Sequence, residues 1–201
     1  MAYLAKPCID RRQVSFEWEP KPRLPLFKYT EYCDRGVSAP LTRDQVPLVA
    51  RTSSSRKYLP DFILVEAMIA LSRRVVDHIQ KLEPGRNQYF PFTPLGPRRR
   101  PWLGEDGQPL EYYHLHITER FDSIDLERSA PPTVKHRPEM YRVVPSRTDY
   151  VMRSPIIGDH HVWGGIWHMP QYTYFSDTLG DWIIRNKMKG LRMVHINEVD
   201  S

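Results

Sequence analysis

Two stretches of the chain repeat one pattern of apolar and polar positions. Residues 172–175 form an aromatic and β-branched run, which predicts a strand. Ser176 follows where a helix N-cap would stand, and Asp177 suits the positive end of the helix dipole. Leu179, Trp182, Ile183 and Met188 recur at roughly helical spacing, so a helix is expected over 177–187. Gly190 fits the left-handed position past a helix end, and Leu191, Met193 and Ile196 predict a closing strand. The earlier copy spans 69–92. There Ser72, Val75, Asp77 and Ile79 stand where Ser176, Leu179, Asp181 and Ile183 stand, ahead of Gly85 and the Tyr89-Phe90 step. The alignment needs one inserted residue, and coincidence is the alternative over so short a match. It predicts two strand–helix–strand units, the first with its helix over 73–82 and Ser72 as its cap.

Between and before these units the pattern is shorter-ranged. Residues 13–18 alternate, with Val14, Phe16 and Trp18 on one face, and 24–33 could form a second strand. Residues 111–118 are the clearest strand: Tyr112, His114 and His116 point one way, Tyr113, Leu115 and Ile117 the other. Short strands are expected at 140–144 and 150–152. Residues 159–168 read as a tight hairpin turning at Gly164-Gly165, a pair suited to a type I′ or II′ turn. Such a hairpin would project from the body, with His161, Trp163, Ile166 and His168 on one face and Val162 with Trp167 on the other. The fold class expected is therefore α+β: a mixed-sheet body over 59–201, carrying the two units, with a Pro- and Arg-rich appendage over 1–58 packed on it.

Composition sharpens this reading in three ways. The 201 residues suffice for one domain with a sizeable core, and 11% aromatics favour a folded chain despite a mean hydropathy of −0.56. Nineteen prolines limit the length of regular elements. Cys8 and Cys33 lack metal-ligand spacing, and no apolar run approaches a membrane span, so a cytoplasmic protein with free thiols and no membrane partner is expected. A net charge of +5 permits nucleic-acid binding without demanding it.

Chemistry leaves few marks. His114 and His116, with His160, His161 and His168, are the only residues that could assemble a zinc site, and no carboxylate stands in register with them. No nucleophile elbow or phosphate-cradling loop is present. Asp122, Asp125 and Glu127 read as turn caps on a solvent face. No catalytic residue, metal or cofactor is therefore expected. The "PRRRPW" stretch is different. Arg98, Arg99 and Arg100 between prolines cannot continue a helix or enter a central strand, so they should be exposed, with Trp102 as an apolar anchor beside them. A solvated turn is the bland reading, and a contact surface for an acidic partner the sharper one.

"LPDFILVEAMIALSRRVVDHIQKLEPGRNQYFPF", "YYHLHITERFDSIDLERS" and "YFSDTLGDWIIRNKMKGLRMVHI", in this order and spacing, resemble a bacterial immunity-protein family, immunity family eleven. The resemblance runs over about two thirds of the chain, from Leu59 to Ile196, anchored at Pro60-Asp61, Glu83-Pro84-Gly85, Ser129 and Gly190. It implies a protein without turnover of its own that binds a cognate toxin stoichiometrically in a polymorphic-toxin system. The basic charge then leans away from a nuclease toxin, whose inhibitors often present acidic surfaces. Many members of the family it resembles carry an arginine after the aromatic of the "HVW" segment, where this chain has Gly164. The partner-binding residues expected are Arg98, Arg99, Arg100, Trp102, His161, Trp163 and His168. Two other readings stay open: a small basic nucleic-acid-binding module using Arg73, Arg74 and Arg98–Arg100, and a histidine-based metal-dependent hydrolase.

Overall fold

A computed structural model of the chain describes residues 2–7, 15–20, 40–54, 58–66, 68–131, 141, 143–144, 147–165 and 172–200. Its strands are β1 (Ala2–Pro7), β2 (Ser15–Glu19), β3 (Val49–Arg51), β4 (Phe62–Val65), β5 (Met68–Ser72), β6 (Gln88–Leu95), β7 (Tyr112–His116) and β8 (Arg120–Phe121). They continue with β9 (Ile124–Asp125), β10 (Val143–Val144), β11 (Arg147–Thr148), β12 (Val151–Arg153), β13 (Val162–Gly165), β14 (Thr173–Ser176) and β15 (Leu191–Val199). The helices are α1 (Arg73–Leu82), the four-residue α2 (Ser154–Ile157) and α3 (Asp177–Arg185). The fold is α+β, as the pattern predicts, with few helices on much sheet.

Two sheets carry the chain. A closed barrel runs β2-β3-β6-β7-β5-β4, and a seven-stranded mixed sheet runs β8-β13-β14-β1-β15-β12-β9. β10 and β11 form a separate ribbon. Both sheets contain the same four-strand motif. In the barrel the order β4-β5-β7-β6 is antiparallel throughout. In the large sheet β13-β14-β1-β15 is antiparallel throughout as well. Each motif is thus a hairpin, a helix and a returning strand, split by one inserted strand. The duplication extends one strand further back than the two strand–helix–strand units expected. The residues before 58 supply β1, β2 and β3, so this segment contributes strands to both sheets.

The two motifs meet through their helices. Val75, Val76 and Ile79 of α1 share one core with Leu179 and Ile183 of α3, walled by Phe62, Leu71, Tyr113 and Leu115 from the barrel and Ala5, Val162 and Phe175 from the large sheet. His78 and Trp182 hold the same place in their respective helices, and their rings stack at 3.8 Å, 8° from parallel. Backbone exchange repeats the symmetry. The Glu83 carboxylate, just past α1, accepts from the N–H groups of His161 (2.6 Å) and Val162 (3.2 Å) at the start of β13. Past α3, Lys189 N–H donates to Asp61 Oδ2 (3.0 Å), while Phe62 N–H donates to the Lys189 carbonyl (3.0 Å) at the start of β4. Each helix exit is pinned to the other motif's first strand. Burial pushes the Glu83 carboxyl upward, and the two N–H donors oppose it.

The caps divide. Ser176 accepts from Leu179 N–H at 3.2 Å, the expected N-cap bond. Ser72 makes no cap bond and instead donates to Asp61 Oδ1 at 3.3 Å. The cause is a competing acceptor: Asp61 stands beside Ser72, and its backbone carbonyl also takes the Ser72 N–H at 2.8 Å. Replacing Ser176 by Ala is expected to cost about 1 kcal/mol in urea unfolding, with partner binding intact.

All five residues of β7 are buried, so alternation here separates two cores rather than core from solvent. Tyr112 belongs to the barrel interior, Tyr113 and Leu115 to the helix core. His114 lies fully buried inside the barrel, facing Trp18 edge-on at 5.8 Å, and neither ring nitrogen finds a hydrogen-bond partner in the protein. Burial, with His116 nearby, holds its pKa down to about 3 from the ordinary 6.5. The unfolded chain therefore takes up a proton that the folded chain refuses. Stability should be full above pH 6.5 and fall as pH drops toward 3, by about 1.4 kcal/mol per unit. His114→Phe is expected to flatten this slope in urea unfolding compared at neutral and mildly acidic pH.

Candidate partner-binding surface

β6 leaves the barrel at Leu95 and turns sharply through a 3₁₀ segment, Pro97–Arg99. Arg98 and Arg99 both adopt left-handed backbone angles, with φ of 59° and 58°. Non-glycine residues pay roughly 1–2 kcal/mol each for this conformation, so something must hold it. The holders are visible. Gly96 N–H donates to the Arg100 carbonyl at 2.8 Å, Pro97 and Pro101 bracket the arginines, and the Trp102 ring lies beneath Gly96. A Cβ on Gly96 would meet that ring at 2.9 Å, so the turn closes only over glycine.

Arg98, Arg99 and Arg100 are all exposed. Arg99 forms an ion pair with Glu19 of β2, and Arg51 of β3 lies 4.0 Å from the same carboxylate. Among the described residues, Arg98 and Arg100 have no ion pair. Trp102 points the other way. It is 9% exposed and packs into the barrel core, 5.9 Å from Phe16. Its ring supports the arginines from below instead of standing beside them.

The projecting hairpin expected at 159–168 is corrected. Gly164 and Gly165 lie within β13, where Gly164 pairs with Thr173 on one side and both glycines pair with Arg120 and Phe121 on the other. Strand pairing outweighs the local turn signal. Trp163 is 0% exposed and stacks on Tyr174 at 5.8 Å, so its ring has no face for a partner. His161 is half-buried, and its Nδ1 lies 2.7 Å from Ser176 Oγ. Ile166, Trp167 and His168 lie outside the described residues, as do Cys8, Cys33 and the possible strand at 24–33.

His161 beside Ser176 has the spacing of a base and a nucleophile. The duplicated motif identifies a different job. Ser176 N–H donates to the His161 carbonyl at 3.0 Å while the side chains meet, the same double link that joins Ser72 to Asp61. Both pairs lock a hairpin strand to a helix start. Among the described residues, no three His, Cys, Asp or Glu side chains come together as a metal site would require. No described helix is long and apolar enough to cross a membrane.

The family model for the immunity protein family Imm11 matches residues 11–198. The chain belongs to the Imm11 immunity protein family. That match begins well before Leu59, so the family pattern takes in β2 and β3 with the arginine-bearing barrel mouth. No curated protein matches the chain. In this Imm11 protein, Gly164 has a steric reason. A Cβ there would come within 2.6 Å of Arg120 Nη1, whose guanidinium fills the space and donates to the Gly165 carbonyl at 3.1 Å. An arginine from β8 thus fills this spot.

Glu19 and Arg51 are companions of the Imm11 arginine turn that the sequence pattern alone does not single out. One signal was present: alternation through Phe16 and Trp18 turns Glu17 and Glu19 outward on one strand face. Their approach to Arg99 is set only by barrel closure.

Proposed function

We propose that this Imm11 protein protects its producer by forming a one-to-one complex with a cognate protein toxin in the cytoplasm, without turnover of its own. The family match over residues 11–198 carries the reading. The exposed turn at Arg98, Arg99 and Arg100 supports a contact surface. Arginine brings several fixed donors to an interface, and a rigid turn gives up little entropy when it docks. His161 is half-buried and Trp163 and Trp102 are covered, so among the described residues of the expected contact set the arginines meet solvent most fully.

The test is co-expression with the toxin encoded beside the gene, followed by co-purification and calorimetry. Protection of cells and a one-to-one complex are expected. Absence of both would end the immunity reading. Strongly salt-dependent gel shifts with DNA or RNA, without toxin binding, would favour the nucleic-acid module instead.

A further inference from the structure

Beside the arginine turn lies an open cleft of about 560 Å³ at the barrel mouth. Arg51, Thr52 and Ser53 line one side, Arg98 and Arg99 the other, and Glu17 stands on its wall. We propose that this cleft receives a carboxylate-bearing segment of the partner protein, and that Glu19 is the internal carboxylate such a segment supplements or displaces. The inference rests on the toxin-binding reading and names the chemistry of the bound surface.

Four observations lead there. First, the cations are placed in advance: the left-handed turn at Arg98 and Arg99 is clamped by Gly96, the flanking prolines and Trp102. A ligand need not order it. Second, two of the arginines that line the cleft already hold a carboxylate beside it. Glu19 pairs with Arg99 and sits 4.0 Å from Arg51, and both arginines line the cavity. Third, capacity is left over, because Arg98 faces the same cavity without an ion pair among the described residues. A guanidinium fork matches a carboxylate with two parallel hydrogen bonds, so Arg98 has a complete binding edge to offer.

The fourth observation separates an acidic peptide from a nucleic acid. Glu17 on the wall and Glu19 on two of the arginines put negative charge inside the basic patch. A phosphate backbone lays down closely spaced charges and would meet these carboxylates repeatedly. A peptide sets one carboxylate among neutral atoms and can place it on Arg98 while its backbone passes Glu17. Thr52 and Ser53 supply neutral hydroxyls for such a backbone. The patch is built for isolated negative charges.

The experiment uses the full chain and a capped, fluorescein-labelled octapeptide with a single Glu among Gly and Ser, read by fluorescence anisotropy at low ionic strength. An oligothymidylate of equal charge is the competing probe. The peptide is expected to bind the wild type more tightly than the oligothymidylate does. Arg98→Glu should weaken it by about tenfold or more, since it reverses the cation with the free edge. Glu19→Gln should tighten it, because Arg99 and Arg51 lose their resident carboxylate. Arg185→Glu, at the end of α3, should leave binding unchanged. Circular dichroism checks that each variant is folded; all three substituted side chains reach solvent.

The inference is overturned if the peptide fails to bind, if Arg98→Glu binds it like the wild type, or if Glu19→Gln weakens it. Equal or tighter binding of the oligothymidylate overturns it as well. Co-expression keeps the two ideas apart. Cells protected by a protein that ignores the peptide would retain the immunity role and remove the cleft. Peptide binding that follows the expected variant pattern, without protection or complex, would keep the carboxylate site and remove the role.

Discussion

Trp163→Ala is expected to destabilise the protein by about 3–5 kcal/mol, enough to unfold much of it at growth temperature. The ring is 0% exposed and lies in a core with Leu4, Tyr150, Met152, Tyr174 and Ile196. Those residues come from four different strands or their flanks, so the void cannot close by moving one side chain. Loss of protection in this variant would therefore report lost folded protein, not a lost contact. Two measurements separate these. Urea unfolding should show the midpoint falling, and the surviving folded fraction should bind toxin with unchanged affinity. Trp163→Phe keeps most of the ring contact and should recover much of the stability. An alanine variant as stable as the wild type, yet unable to bind, would overturn the burial argument.

Gly190→Ala comes next, at about 3 kcal/mol or more, combining backbone strain with a clash. Gly190 has φ of +107°, and a Cβ there would lie 2.0 Å from the Phe62 carbonyl oxygen. That oxygen belongs to backbone and cannot swing aside. The substitution would push apart the Lys189–Phe62 link that pins α3's exit to β4. Gly85, its counterpart after α1, supplies the control. It also has positive φ, at +79°, but nothing lies within 4 Å of its would-be Cβ. Gly85→Ala should cost only about 1 kcal/mol, from backbone conformation alone. Thermal unfolding of both variants checks the contrast, and equal losses would show that strain, not the clash, dominates.

These two positions also mark how far the sequence could be read. Helix α1 and the start of α3 were visible because Val75, Ile79, Leu179 and Ile183 recur at the spacing of one helical face. The returning strands were visible because each helix ends near a glycine. The arginine turn was legible as exposed, since prolines forbid regular pairing there. Long-range pairing left no local trace. Nothing near Gly164-Gly165 announces that Arg120 needs the room, so the glycines read as a turn. Trp102 could not be placed from its neighbours, because its pocket is made by barrel strands such as β2. Ser72 has the residue type and spacing of a cap, yet Asp61, eleven positions earlier, takes its hydroxyl.

β1 has a consequence for how the protein comes into being. Ala2–Pro7 lies between β14 and β15 and pairs with both. These residues are synthesised well ahead of their partners, which lie more than 160 positions further on at Thr173–Ser176 and Leu191–Val199. At about 5–20 residues per second, translation leaves β1 waiting for on the order of ten seconds or more. Throughout that interval Leu4 and Ala5 have neither neighbour in place, and a nascent chain stalled before Thr173 offers an apolar strand with two open edges to chaperones or to other chains. The large sheet can close only once β15 has left the ribosome, so a chain cut short before Leu191 leaves that side of β1 unpaired.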